Sequence, residues 1–328
     1  MRQLALGAFL TLYLSLSLYA DIYQKIVSDF SDEQLIVSNF PESIEYPGFV
    51  FDESMEKKSM RLLYHHRNIA RKPLFINVVL TNRGESDAEV TITKGVGGSS
   101  RDVVYAGHYA MSSFLEHYMR EGEKVIVPPG SVTQVLFQEI KSLQTVSGML
   151  KFNRVRSDKL SVAMQIVDMS YPSISSLYSL SDSKQTYSVI FSDESLRKIE
   201  HYFDVSDKQS HFYIGGKPYL QDRRTGRVLK GNYGLLYLVD VFLENSRDEE
   251  KKVSFFASPL KDGGVDRGVF VLDGGLVETG VLSFKNRLLM MEQIGSLVLN
   301  PFEKRHVRLA TIPQAGSYYP IDFAIRSL

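Results

Sequence analysis

The 328-residue chain has no cysteine, no tryptophan and no net charge, its 38 Lys and Arg being matched by 38 Asp and Glu. Without cysteine there is no disulfide, no thiolate zinc site, no cysteine nucleophile and no lipid-carrying N-terminal cysteine. A zero balance with no dominant block of one sign gives nothing to draw the chain to nucleic acid or to an acidic membrane surface. The absence of tryptophan removes the residue best suited to a broad sugar-stacking platform. There is no Asn-x-Ser/Thr sequon, in keeping with a bacterial source. Beyond the first twenty residues, no run approaches the roughly 20 apolar residues that a membrane-spanning helix needs.

Those first residues, MRQLALGAFLTLYLSLSLYA, have one charge at Arg2, an apolar centre over 4–14, and small or polar residues before Ala20. This is the layout of a secretory signal peptide. Cleavage is expected after Ala20, with Ser17 as the alternative, leaving an extracytoplasmic protein, secreted or held at the cell envelope.

The remainder reads as β. Tyrosine and phenylalanine are abundant (18 and 19), and short apolar runs recur between turn residues. The stretch VVLTNRGESDAEVTIT (78–93) aligns without gaps on VFLENSRDEEKKVSFF (241–256), with Val78, Leu80, Asn82 and Val90 on Val241, Leu243, Asn245 and Val253. Each copy reads as a hairpin, a strand ending in Asn followed by an acidic turn and a return strand. KVIVPPGSVTQVLF then resembles SLVLNPFEKRHVRLA (296–310), and LSVAMQIV (160–167) resembles YPIDFAIRS (319–327). The expected fold is therefore mainly all-β, with two tandem Ig-like β-sandwich domains over 21–168 and 188–328, joined by a serine-rich linker at 169–187. One stretch departs from this pattern. RDVVYAGHYAMSSFLEHYMREGE (101–123) places Val104, Ala110, Phe114, Leu115 and Tyr118 at helical spacings, predicting a helical insertion near 101–122 of the first domain.

Candidate chemistry is thin. The glycines of KGVGGSS (94–100) lack the Gly-Lys-Ser/Thr ending of a phosphate loop; they read as a tight connection requiring positive φ. His108 and His117 are nine residues apart, half a turn out of line on a helix, and match no zinc-protease spacing. Asn232-Tyr233 resembles the Asn-Tyr-Asp/Glu that copper amine oxidases convert to a quinone, but Gly234 stands in the acidic position and no His-x-His occurs. Gly231 and Gly234 read instead as flanking a turn. No Gly-x-Ser-x-Gly elbow is present. Neither metal ligands nor a cofactor site nor a catalytic set can be assigned.

The paired histidines of RLLYHHRN (61–68) point to opposite faces of a strand. Met60, Leu62, Tyr64 and His66 form the more apolar face, and His66 is expected to be hydrogen-bonded and half-buried there. Arg61, Leu63, His65 and Arg67 form a wetter, basic face. EHYF (200–203), HFYIGGKPY (211–219) and SYYP (317–320) are aromatic clusters near turns, of the kind that recognise sugars or peptides. The candidate ligand surface is thus Arg61, His65, Arg67, Tyr213, Tyr219 and Tyr233.

Three stretches, MRLLYHHRN (60–68), GVGGSSRDVVYAGHYA (95–110) and DRRTGRVLKGNYGLLY (222–237), resemble a group of uncharacterised secreted bacterial proteins often associated with a copper amine oxidase-like N-terminal stalk domain. The resemblance implies a β-rich extracytoplasmic protein; it carries no established reaction, and no stalk domain is recognisable here. The expectation is a non-enzymatic envelope-associated binding or structural protein whose partner is glycan or protein. The alternative is an enzyme acting on envelope polysaccharide through a carboxylate pair in an inter-domain cleft, about 5–10 Å apart. A third reading, a metal site of histidines gathered by the fold, is weaker.

Overall fold

The computed structural model describes residues 30–118, 120, 122–156, 159–168, 185–260, 264–285 and 288–328. The leader and most of the serine-rich stretch, 169–184, lie outside them. The described residues are nearly all β and form tandem β-sandwiches, with one long helix among them.

The first sandwich contains β1 (Glu33–Phe40), β2 (Ser43–Ile44), β3 (Gly48–Ser54), β4 (Ser59–Asn68), β5 (Leu74–Asn82), β6 (Ala88–Val96), α1 (Val103–Tyr118), β7 (Glu123–Val127), β8 (Val132–Ile140), β9 (Thr145–Arg156), β10 (Leu160–Val167) and β11 (Ser188–Ser192). One sheet runs β11-β1-β4-β9-β6-β7, with β2 beside β4, and the other runs β3-β10-β5-β8. Met60, Leu62 and Tyr64 of the first sheet and Ile76, Val78 and Val162 of the second meet in its core.

The second sandwich contains β12 (Leu196–Asp204), β13 (Gln209–Ile214), β14 (Leu220–Gln221), β15 (Val228–Leu229), β16 (Leu236–Glu244), β17 (Lys251–Pro259), β18 (Val265–Asp266), β19 (Val269–Leu272), β20 (Gly275–Glu278), β21 (Leu282–Lys285), β22 (Leu288–Met290), β23 (Glu292–Leu299), β24 (Lys304–Thr311) and β25 (Ile321–Ser327). Its sheets run β12-β16-β24-β19-β20 and β13-β25-β17-β23. Their apolar faces meet through Val241, Leu243, Val307, Phe255, Phe323 and Ile325.

The duplication has a physical basis, but not the expected one. Asn82 and Asn245 do not close hairpins: β5 and β6 lie in different sheets, as do β16 and β17. Each Asn is fully buried and holds a crossing between sheets. Asn82 Oδ1 accepts from Gly84 N at 2.9 Å, and its Nδ2 donates to Ser86 O at 2.7 Å and Val127 O at 2.9 Å. Asn245 repeats the set with Arg247 N at 3.1 Å, Glu249 O at 2.8 Å and Asn300 O at 2.8 Å. Asn68, at the crossing from β4 to β5, does the same with Ala70 N, Lys72 O and Ile140 O, all at 2.8 Å. One amide side chain thus satisfies the backbone groups that a sharp inter-sheet corner would otherwise orphan.

The pairing also corrects the last part of the alignment. β25 lies beside β17 as β9 lies beside β6, so β25 corresponds to β9. The place of β10, antiparallel to β5, is taken in the second sandwich by β12, which runs parallel to β16.

Helix α1 lies against the outer face of β6 and β9. Asp102 caps it, accepting from Tyr105 N at 3.0 Å. Gly95 and Gly97 before it serve close approach and not, as expected, positive φ, which none of Gly95, Gly97 and Gly98 adopts. A Cβ on Gly95 would lie 2.2 Å from the Ala110 carbonyl oxygen, and one on Gly97 would lie 2.9 Å from that of Ala106. Only glycine lets the helix settle this near the strand.

Candidate functional site

The six residues singled out from the sequence do not converge. Strand β4 alternates as read, Met60, Leu62 and Tyr64 facing the first core and Leu63 the opposite side. His66 is fully buried; Pro41 O can only accept, so Nδ1 carries the proton to it at 3.1 Å and Nε2 receives Ser38 Oγ at 2.9 Å. Burial holds its pKa down to about 4.

The second face of β4 is not wet. Leu63 joins Leu35, Val37 and Met149 in an apolar layer continuous with Met111, Phe114, Leu115 and Tyr118 of α1 and with the second sandwich. Arg61, expected on a ligand surface, is fully buried. Its Nη2 lies 3.1 Å from Glu33 Oε2 and donates to Ser195 O at 2.7 Å. Lys151, also fully buried, pairs with the other Glu33 oxygen. The two cations lie over the Phe30 ring, at 4.6 and 3.9 Å from its centroid. His65, 3% exposed, hydrogen-bonds Ser147 across the ladder. Of this trio only Arg67 is exposed.

The tyrosines are scattered. Tyr213 is exposed on the outer face of β13, in register with Asp322 of β25. Tyr219 is half-buried ahead of β14. Tyr233 donates to Ser317 O at 2.9 Å and meets the Tyr319 ring edge-on at 5.8 Å, and burial lifts its phenol to about 12. Its neighbour Asn232 is fully buried at φ +52°, between Gly231 and Gly234, both also at positive φ. Asn232 accepts from Leu220 N at 2.8 Å and donates to Gly216 O at 2.7 Å and Tyr237 Oη at 2.7 Å. The Asn-Tyr pair is a turn hub. His108 and His117 go separate ways, to Glu278 at 2.9 Å and to Lys94 O at 2.7 Å. Among the described residues no group of three or more His, Asp or Glu is placed to hold a metal ion, and no helix is long and apolar enough to cross a membrane.

The contact between the sandwiches is packed. Gly234 sits on Leu35 and Leu63, and a Cβ there would lie 3.2 Å from the Leu35 side chain. Ala315 packs on Gly107 of α1 so closely that a Cβ would lie 1.7 Å from its carbonyl oxygen. The tip between β14 and β15, DRRTGR, clasps the first sandwich. Asp222 accepts from Phe191 N at 2.7 Å, and Arg223 N donates to Phe191 O at 2.8 Å. Arg223 pairs with Glu53, with Glu56 at 3.1 Å and with Asp193 at 3.4 Å. Arg224 also pairs with Glu53 and lies 3.9 Å over the Phe191 ring. Three carboxylates of this region are committed, Glu33 and Glu53 to cations and Glu278 to His108 and Ser112; a fourth, Asp266, is fully buried beside the loop that packs on α1.

An open groove of about 530 Å³ lies elsewhere, on the outer face of the second sandwich, lined by Tyr202, Asp204, Asp207, Phe242, Glu244, Lys304, Arg305 and His306 among others. Its floor is a three-ring ladder. Tyr202 of β12 pairs in register with Phe242 of β16, which pairs with His306 of β24. The rings stack at 4.9 Å and 18°, then at 4.7 Å and 10°. This is the spacing of neighbouring strands, so the sheet itself sets the stack. His306 is pinned by Asp240 at 2.7 Å, and Lys304 pairs with Glu244 at 3.1 Å. Tyr202 is 68% exposed. It belongs to EHYF, one of the aromatic clusters read from the sequence; Phe242 and His306 carry no local signal, because their partnership exists only across strands.

No family model and no curated protein matches the chain. Among solved structures, it is similar to a GH26-CBM35 β-(1,4)-mannanase of Podospora anserina (11% identity, 37% of this chain and 28% of that one, TM-score 0.21). It is also similar to the CBM22-1–CBM22-2 tandem domain of Paenibacillus barcinonensis Xyn10C (10%, 87% and 91%, 0.16) and to the PBSX exported protein XepA (8%, 86% and 86%, 0.18). The chain spans less than a third of the mannanase.

Proposed function

We propose that the protein is a non-enzymatic, envelope-associated binding module that holds glycan in the groove over the Tyr202–Phe242–His306 ladder. The observation that carries this reading is the ladder itself: an exposed tyrosine backed by two stacked rings and flanked by carboxylates, on a rigid sheet. A flat apolar face with hydrogen-bonding groups beside it suits a sugar ring, which has a C–H face and a rim of hydroxyls. The packed junction favours this reading over the enzyme alternative, which requires an inter-domain cleft with convergent carboxylates. Export behind the leader, and placement with the resembling secreted group, belong to the same proposal. The test is affinity electrophoresis of the full chain through gels containing a panel of plant and bacterial polysaccharides. Retardation by at least one, weakened in Tyr202→Ala, is expected. Migration unchanged in every gel would overturn the proposal.

A further inference from the structure

We infer that the groove takes an uncharged polysaccharide, laid along β12 with one pyranose ring against the outer face of Tyr202; this rests on the glycan-binding reading above. Within the ladder both faces of Phe242 are occupied, by Tyr202 on one side and His306 on the other. Tyr202 is different. β12 is the edge strand of its sheet, so no strand stands beside the second face of this ring. One aromatic face is therefore free, at the sheet edge.

The groups beside that face set the direction and chemistry of a ligand. Glu200 and Asp204 lie two residues to either side of Tyr202 on the same face, about 6.5 Å away along the strand, and Asp207 follows in the turn. None of the three forms an ion pair among the described residues. Glu200 accepts from the Tyr202 hydroxyl at 3.3 Å, and Asp204 from Ser206 N at 2.8 Å and Ser246 Oγ at 2.7 Å. The cations, by contrast, are engaged: Lys304 with Glu244 at 3.1 Å, Arg305 with Glu303 at 2.6 Å, and Arg308 with Asp240 at 3.7 Å. Arg247 acts on Asp204 from the neighbouring turn; Asp204 and Asp207 line the groove, while Glu200 and, two residues beyond it on the strand, Lys198 lie outside its lining. The open side thus offers acceptors. Sugar hydroxyls donate to them, whereas phosphate, sulfate or uronate groups would meet like charge with no uncommitted cation in the lining. The edge of β12 is also hemmed in, since His201 bonds Ser210 of β13 at 2.9 Å and rests on Phe212. That disfavours a peptide strand added to the sheet.

The test compares the full chain in gels of neutral polymers (β-glucan, xylan, mannan) and anionic ones (polygalacturonate, alginate), with oligolysine and a neutral peptide as competitors. Retardation by a neutral polymer is expected, weakened about tenfold by Tyr202→Ala and retained by Tyr202→Phe. The Glu200→Gln/Asp207→Asn variant is expected to bind the neutral polymer more weakly and to gain affinity for the anionic ones. Retardation by anionic polymers alone overturns this inference and leaves glycan binding standing; neutral binding that survives Tyr202→Ala overturns the placement on the ladder as well. Retardation by no polysaccharide overturns both readings, and direct binding of oligolysine or the neutral peptide to the full chain then assigns the groove to protein.

Discussion

Replacing Asp266 with Asn should stabilise the protein near neutral pH and do little in acid. Asp266 ends β18, fully buried beside the loop that packs on α1. One carboxylate oxygen accepts from Arg267 N at 2.7 Å, while the other has no partner of normal geometry. Burial pushes its pKa from 3.8 to about 6, against a smaller pull from the Ser317 hydroxyl and the Arg267 amide. Below pH 3.8 the group is protonated whether the chain is folded or not, and it contributes nothing. Between 3.8 and about 6 the unfolded chain releases the proton and the folded chain keeps it, so stability falls as pH rises. Above 6 the loss is complete. Two pH units at 1.36 kcal/mol each make it about 3 kcal/mol. Urea unfolding of the wild type and Asp266→Asn at pH 4 and pH 7.5 reads the difference directly. The variant should gain up to about 3 kcal/mol at pH 7.5, and the gap should close towards pH 4. The comparison removes the opposing titration of His66, whose value, lowered from 6.5 to about 4, costs stability as pH falls through that window. A gap of equal size at both pH values would refute the argument, since a packing effect of the amide does not titrate.

Glu33→Gln leaves Arg61 and Lys151 buried without their anion and should cost about 4 kcal/mol, read as a fall in the urea midpoint with an unchanged slope. Asn245→Ala strips the β16–β17 corner of its hydrogen bonds and should cost about 1–3 kcal/mol; the same change at Ser246, whose residue does not build the corner, should cost far less. Cutting the clasp with Asp222→Ala/Arg223→Ala should let the two sandwiches unfold in separate thermal transitions, seen by calorimetry, where the intact chain shows one.

What the sequence made legible was periodic and local. The alternation of β4 sorted Met60, Leu62 and Tyr64 from Leu63 correctly, because side chains on a strand must alternate. It could not say what covers the second face. Arg and His on that face suggested water, yet the cover is helix α1 and the other sandwich, and Arg61 is neutralised by Glu33 from a different strand. The Asn-acidic-turn pattern correctly marked a repeated corner. Whether a corner closes a hairpin or crosses between sheets depends on which strands its flanks pair with, and that information lies in β7–β10 and β23–β25. Tyr202 carried a visible signal as an aromatic among polar residues near a turn. The ladder behind it did not, since stacking in register is a property of three strands joined in one sheet.

The place where the repeats differ most bears on where a ligand can bind. Between β6 and β7 the first sandwich inserts α1; between the corresponding β17 and β23 the second inserts β18–β22. An insertion at a strand connection is where a sandwich ordinarily gains a binding loop. Here the two insertions meet each other, Glu278 of β20 receiving His108 at 2.9 Å and Ser112 at 2.5 Å from α1. With the β14–β15 tip also committed, to Phe191 and Glu53, these connections are spent on joining the sandwiches. For the proposed glycan these connections leave a sheet face rather than a loop cluster. Among the described residues, the outer face over β12, β16 and β24 combines an open groove with stacked rings and carboxylates outside any ion pair. A site of that kind is pre-formed, so binding there should order little of the protein, and hydrogen exchange of β12 and β16 should change on ligand addition while that of α1 does not.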